Sequence, residues 1–282
     1  MFFKRVGYQA GRFLRAVFLL LKAVICLYPV YWMITLSFKT EQEAAYNVYS
    51  FPKHLFEVGF TNYKYVLEHL NYWNGMKNSL IYSIFITVFT ALFAVTAAYA
   101  LTRMHFKFAD IIYKYFLIGL ALPGMCLIVP VFMILKFMGL TGTRWALLVL
   151  GCAAAAGGAL LMVAYMRSVP YELEEAAAID GCNIHRAFIS IMFPIFKPAL
   201  ATRAMLDFLR MWNEFGYSSI LCMKATIRPM VMETQTFFSA LYAKNWANIG
   251  TAVVLSAGPA ILVYSFANKG IENALTAGAI LK

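Results

Sequence analysis

Apolar residues in this chain are gathered into long stretches without charge, separated by short polar segments. Residues 23–38, 78–102, 115–135, 145–166 and 245–268 each reach or approach the length of a membrane-crossing helix, roughly 20 residues for about 30 Å of hydrocarbon. A sixth stretch, 198–223, has the same length although it carries Arg203, Asp207, Arg210 and Glu214. Together they predict an all-α polytopic membrane protein with about six transmembrane helices. Pro123 and Pro130 are placed to kink the third span. The run Gly-Cys-Ala-Ala-Ala-Ala-Gly-Gly over 151–158 offers the fourth span a surface for close helix packing.

Composition points the same way. Hydrophobic residues make up 62% and charged residues 13%, with a mean hydropathy of +0.70, against about half and about a quarter in a soluble domain. Lys4, Arg5, Arg12 and Arg15 precede an apolar run that is long and lacks a small-x-small cleavage site, so an uncleaved first helix is expected rather than a secretory signal. Cys26, Cys126, Cys152, Cys182 and Cys222 are scattered and odd in number, and read as packing residues. His54, His69, His105 and His185 show no ligand spacing, so no metal site is expected. No catalytic residue is expected either, since the chain has no His-x-x-x-His, Gly-x-Ser-x-Gly or paired-acid motif.

Lys and Arg near span ends set sidedness, because they are retained in the cytoplasm. Inner termini place Lys4, Arg5, Arg12, Arg15, Arg103, Lys107, Arg167, Arg186, Lys197, Lys269 and Lys282 inside. They leave Lys39, Lys53, Lys64, Lys77, Lys136, Arg144, Lys224, Arg228 and Lys244 outside. The expected protein is therefore a multi-pass protein of the cell (cytoplasmic) membrane with cytoplasmic termini. Its largest outer loop spans about 39–77, where Phe51, Phe56, Phe60, Tyr63, Tyr65, Tyr72 and Trp73 suit a membrane interface. The formal charge of +11 follows from this distribution, and no basic amphipathic motif points to nucleic acid. Without an internal repeat or a low-complexity linker, residues 1–282 are expected to form one domain.

A polar interruption of about 167–197 lies between the fourth and fifth spans, on the inner side. In Ser168-Val169-Pro170-Tyr171-Glu172-Leu173-Glu174-Glu175-Ala176-Ala177-Ala178-Ile179-Asp180-Gly181, Ser168 suits a cap and Pro170 a first turn. Glu172, Glu174 and Glu175 favour the positive end of a helix dipole, and Gly181 offers a stop. The segment predicts a short helix with a smooth alanine surface, Ala176 to Ala178. On composition alone it reads equally as an ordinary surface helix and as a docking helix.

The order Glu175-Ala176-Ala177, then Gly181, Ile191 and Phe193-Pro194, resembles the cytoplasmic loop of permease subunits in binding-protein-dependent ABC importers, with Phe193 in place of the usual leucine. Asn78-Ser79, Trp212-Asn213-Glu214-Phe215 and Gly278-Ala279 look like the carbohydrate-uptake branch, and in particular like its smaller maltose-type permease subunit. The resemblance implies that Glu174, Glu175, Ala176, Ala177, Asp180, Gly181, Ile191 and Pro194 belong to a coupling helix and its flank, which dock on an ATP-binding subunit. It also implies a homologous permease partner, two ATP-binding subunits, an extracytoplasmic solute-binding protein and a sugar cargo. The chain has no Gly-x-x-x-x-Gly-Lys-Ser/Thr loop. No cofactor is therefore expected on this chain, with ATP and Mg on the partner ATPase.

In the sixth stretch Arg203, Asp207, Arg210 and Glu214 fall within a stripe roughly 60° wide at about 100° per residue, with Ser218 continuing it. The spacings allow alternating-sign pairing along the helix. Two readings stay open: a self-neutralised structural ladder, or a polar lining for a translocation path. Asp207, Arg210, Asn213 and Glu214 are the candidate pathway residues. A secondary transporter or channel, or a membrane-embedded enzyme, are the competing classes. The first would show an inverted repeat or a chain of protonatable groups, the second a catalytic set within a span.

Overall fold

The computed structural model describes the backbone of residues 2–240 and 245–280, and side chains within 11–240 and 245–266. Lys4, Arg5, Lys244, Lys269, Lys282 and the Gly278-Ala279 pair lie outside the described side chains. Every regular element among the described residues is helical. The order begins with α1 (Phe2–Ser37), α2 (Glu41–Tyr46), α3 (Leu55–His69) and the long α4 (Tyr72–Arg103). Then come α5 (Ala109–Ala121), a 3-10 turn (Gly124–Leu127) and α6 (Ile128–Phe137). The next helices are α7 (Arg144–Ala153), α8 (Ala156–Met166), α9 (Glu172–Ile179) and α10 (Ile184–Ala187). A π-helical turn (Phe188–Met192) leads from α10 into α11 (Phe193–Trp212), and α12 (Gly216–Leu221), α13 (Met230–Ser239) and α14 (Trp246–Ile280) follow.

Among the described residues five helical stretches are long and apolar enough to cross a membrane, and six if the α5/α6 pair, bent by 94°, is one span. The expected all-α polytopic fold is therefore present, with four adjustments. The first helix starts well before residue 23, because Arg15 and Lys22 project outward from a backbone that continues unbroken. The expected outer loop at 39–77 is largely helical, in α2, α3 and the first turns of α4. The third span does not kink but breaks. Leu122 and Pro123 are both extended (ψ 124° and 120°), as the residue before a proline prefers. Pro130 disturbs nothing, since it sits in the first turn of α6 where backbone N–H groups have no helical partner.

The fourth adjustment concerns the fifth span, which covers Ile184–Trp212 rather than 198–223. Pro194 lies at the start of α11, where a helix tolerates it. Helix α11 ends at Asn213 (φ −95°, ψ 9°), and a separate helix, α12, begins three residues later. The polar loop before this span is correspondingly shorter than 167–197.

Two compact units divide the chain, Met1–Asn71 with Thr234–Gly258, and Tyr72–Glu233 with Pro259–Lys282. In the first, the C-terminal end of α1 is held by side chains reaching carbonyls at and just beyond it. The Asn62 amide donates to Ser37 O (3.0 Å) and Lys39 O (2.8 Å). Lys39 is fully buried and its Nζ donates to Asn47 O (2.9 Å) and Val48 O (2.6 Å). Burial pushes this ammonium below its ordinary pKa, with Glu43 opposing the shift. Thr40 and Glu43 form a capping box on α2.

In the second unit α4 is the central helix, packed on α11 and α8. One cluster joins Tyr82, Ile86, Leu147, Met211 and Leu221. Another joins Val95, Tyr99, Met162, Met166, Met192 and Phe196. The glycines of 151–158 permit this approach: a Cβ on Gly151 would run into the Ile86 side chain. One on Gly158 would meet Arg203 Nε at 3.1 Å and Ala94 Cβ at 3.3 Å.

Candidate functional site

Helix α9 carries the acidic, alanine-rich motif. Its first turn contains Glu172, Glu174 and Glu175, as the dipole argument requires. Ser168 does not cap it: the Ser168 hydroxyl donates to Tyr165 O, and Tyr171 stands at the N-cap. The alanine surface is also not uniform. Ala177 is 3% exposed and faces the chain's own interior, so the outward face consists of Glu172, Leu173, Glu175, Ala176, Ala178, Ile179 and Asp180. Ile179, at 86% exposure, is the most prominent apolar side chain on it. Ile191 is half-buried in the π-helical turn, and Pro194 is exposed at the start of α11.

Gly181 ends the helix with φ +82°. The Cys182 N–H donates to Ala177 O and the Gly181 N–H to Ala178 O, closing the last turn. A Cβ here meets nothing within 4 Å, so the requirement for glycine is conformational and not steric. Gly181→Ala is expected to lower stability by about 1–2 kcal/mol, the cost of the left-handed region for an L-residue. Thermal unfolding of the purified protein in detergent checks it.

Charged residues that composition alone does not connect to α9 hold it in place. Glu174 Oε1 accepts from Arg103 Nε at 2.7 Å, and Glu174 Oε2 accepts from the Tyr99 hydroxyl at 3.1 Å. The Arg103 guanidinium also donates to Val169 O (2.7 Å) and Met166 O (3.3 Å), and lies over the Tyr171 ring. In sequence Arg103 counts only among the inner positive charges, because its partner Glu174 is 71 residues away.

In α11 the stripe separates into two parts. Asp207 is 1% exposed, and both its oxygens receive hydrogen bonds from Arg203, at 2.8 and 2.7 Å. Thr90 Oγ1 adds a third at 3.1 Å, and Arg210 Nε stands 3.5 Å away. This part is a neutralising ladder buried against α4. Arg210 and Glu214 instead line a cavity of about 510 Å³ together with Met125, Leu147, Met211 and Tyr217. Glu214 Oε1 accepts from the Tyr217 N–H at the start of α12. Asn213 is exposed and its amide donates to Leu209 O, and Ser218 bonds back to Glu214 O beyond the break. The stripe therefore does not continue through Ser218 as one helix face.

Asn78 and Ser79 fasten the segment 222–230 to α4. The Asn78 amide donates to Thr226 O and Arg228 O, and its oxygen accepts twice from Arg144 at 3.1 Å. Ser79 Oγ accepts from Met230 N, and Tyr82 donates to Ile227 O.

Comparison with known proteins gives these features a context. Residues 90–277, more than half the chain, match the family model described as binding-protein-dependent transport system inner membrane component. The chain is 31% identical over 260 residues to a probable starch degradation products transport system permease protein of Thermoanaerobacterium thermosulfurigenes, covering 92% of this chain and 93% of that one. It is 29% identical to a trehalose/maltose transport system permease protein of Thermococcus litoralis, covering 95% and 96% respectively. Its fold matches a chain in the crystal structure of a bacterial ABC transporter involved in the import of the acidic polysaccharide alginate. That match has a TM-score of 0.76 and 25% identity, over 93% of this chain and 96% of that one.

Proposed function

Since the chain belongs to the family of binding-protein-dependent transport system inner membrane components, we propose that it is the membrane-spanning permease subunit of an ATP-driven importer of sugars or oligosaccharides. The observation that carries the reading is α9, a short acidic and alanine-rich helix that ends at a left-handed glycine and shows one small, partly apolar face outward. Such a face suits a groove on an ATP-binding subunit. The cargo class rests on the relatives, whose names specify starch degradation products and trehalose/maltose.

In this account ATP and Mg belong to two ATP-binding subunits, since the chain has no phosphate-binding loop. A homologous permease completes the pore, and an external binding protein delivers the solute. Closure of the ATPases pushes on Glu175, Ala176, Ala178, Ile179 and Asp180. Gly181 ends α9 and Ile191 and Pro194 flank its connection to α11, while Glu174 and Ala177 anchor α9 to its own chain. Arg210 and Glu214, with Asn213 beside them, supply polar groups along the solute's route, and Asp207 fixes Arg210 from behind.

Purification from membranes tests this reading. An ATPase and a solute-binding protein are expected to co-purify, and mass spectrometry of the binding protein's contents is expected to show a carbohydrate. Co-purification of neither would refute the assignment. Single cysteines at exposed Lys64 and Ser168 test sidedness. An impermeant thiol reagent is expected to label the former and not the latter in intact cells, whereas the opposite pattern reverses the topology. Lys64 is the appropriate outer position, because Asn62 clamps the end of α1.

A further inference from the structure

Arg103, the last residue of α4, donates hydrogen bonds to Glu174, Met166 and Val169 and lies outside the coupling motif. Arg103 and Glu174 form an ion pair at 2.7 Å with side-chain exposures of 9% and 11%. Both carboxylate oxygens of Glu174 are engaged by α4, one by Arg103 and the other by Tyr99. The guanidinium also donates to the carbonyls of Met166 and Val169, in the corner between α8 and α9. Arg103 thus ties together three parts of the chain, the end of α4, the end of α8 and the first turn of α9.

We propose that Arg103 is a positioning residue for energy coupling: with Tyr99 and Glu174 it forms a strut that passes movement of α9 directly into α4. The proposal rests on the reading of α9 as the helix pushed by an ATPase. Two physical arguments favour the strut over the loop as the route. The connection from α9 to α10 is the short turn Asp180–Asn183 around a left-handed glycine, and α10 leads on through a π-helical turn, so that path contains compliant elements. The Arg103 contact is short, largely shielded from water and multiply hydrogen-bonded, so it holds α9 at a fixed distance from α4. Helix α4 in turn packs on α11 and on α7. Displacement delivered at Arg103 therefore reaches the helices that carry Arg210 and Gly151, both of which line the 510 Å³ cavity.

The test uses the full complex in proteoliposomes, with the five native cysteines replaced and Met125→Cys introduced as a reporter, since Met125 is exposed and lines the cavity. Trapping with ATP and vanadate closes the ATPases, and the rate at which the reporter thiol is labelled is expected to change by about tenfold, within the usual range for coupled sites. In Arg103→Ala, the amount of trapped nucleotide is expected to stay the same while the change in labelling falls to less than about twofold, the loss of most of that coupling, and Glu174→Ala is expected to show the same loss of response per nucleotide trapped. The reversed pair, Arg103→Glu with Glu174→Arg, is expected to recover part of it, which a purely structural role would not predict. Should either alanine variant fail to assemble, Tyr99→Phe combined with Glu174→Gln removes only polar contacts, and the same loss is expected.

A full labelling response in the assembled variants overturns the strut. The absence of any response in the unsubstituted reporter complex would instead count against the importer reading itself.

Discussion

Replacing Ala177 with tryptophan is expected to destabilise the permease before any partner binds. Ala177 is 3% exposed and points into its own chain. It lies one turn from Glu174 on the same face, as residues three apart on a helix do. The methyl is enclosed by its own chain, and an indole there would drive α9 off its seat. Even modest overpacking costs about 1–3 kcal/mol, and an indole in place of a methyl exceeds the usual case. The expected result is a sharp loss of folded protein in detergent, seen by size-exclusion chromatography. The adjacent Ala178→Trp provides the contrast. Its side chain is exposed, so the isolated permease should remain folded while the ATPase no longer co-purifies. Normal folding of the Ala177 variant would show that α9 is not seated as described.

The other large effect is expected at Asp207. Removing this carboxylate by Asp207→Leu leaves Arg203, half-buried beside Gly158 with its side chain 17% exposed, without the acceptor of its two short hydrogen bonds. Breaking one side of a buried pair typically costs about 3–5 kcal/mol, because a desolvated charge loses its partner. Expression and thermal stability should fall accordingly. Replacing both residues, as Arg203→Met with Asp207→Leu, is expected to restore much of the stability, since a well-packed apolar pair is often neutral relative to a buried ion pair. Arg210→Met should behave differently. Arg210 faces the cavity with its side chain 39% exposed, so this variant is expected to fold normally and lose transport. If Asp207→Leu folds as the parent does, the ladder contributes no net stability.

The helices that cross the membrane are legible in the sequence because lipid imposes a length and a composition, and α4, the joined α7–α8 stretch (Arg144–Met166) and the apolar part of α14 follow both. Helices α2 and α3 are not, since segments bearing Glu41, Glu43, Lys64 and Glu68 carry no spanning signal and their packing depends on clamps such as Asn62. The pairing of Arg203 with Asp207 can be read from an i to i+4 spacing. The pairing of Arg103 with Glu174 cannot, because each charge taken alone is an ordinary helix-end residue.

The coupling segment shows the same division. Glu175-Ala176-Ala177 and Gly181 are distinctive as a string, but three consecutive alanines do not reveal which one faces inward. That is decided by the register that Glu174 sets through Arg103. The end of α11 escapes a reading by hydropathy because Asn213 and Glu214 sit in an apolar context, and the break after Trp212 contains neither proline nor a left-handed residue.

The central claim is that ATP hydrolysis on separate subunits drives carbohydrate through this chain. Uptake into proteoliposomes containing the purified complex tests it most directly, using the radiolabelled form of the carbohydrate recovered from the binding protein. Accumulation against the gradient is expected only when ATP is enclosed with the ATPase side and the binding protein is on the other. It should persist when ionophores collapse the proton and sodium gradients. Uptake that needs no ATP, or that stops with the ion gradients, would contradict the account and favour a secondary transporter.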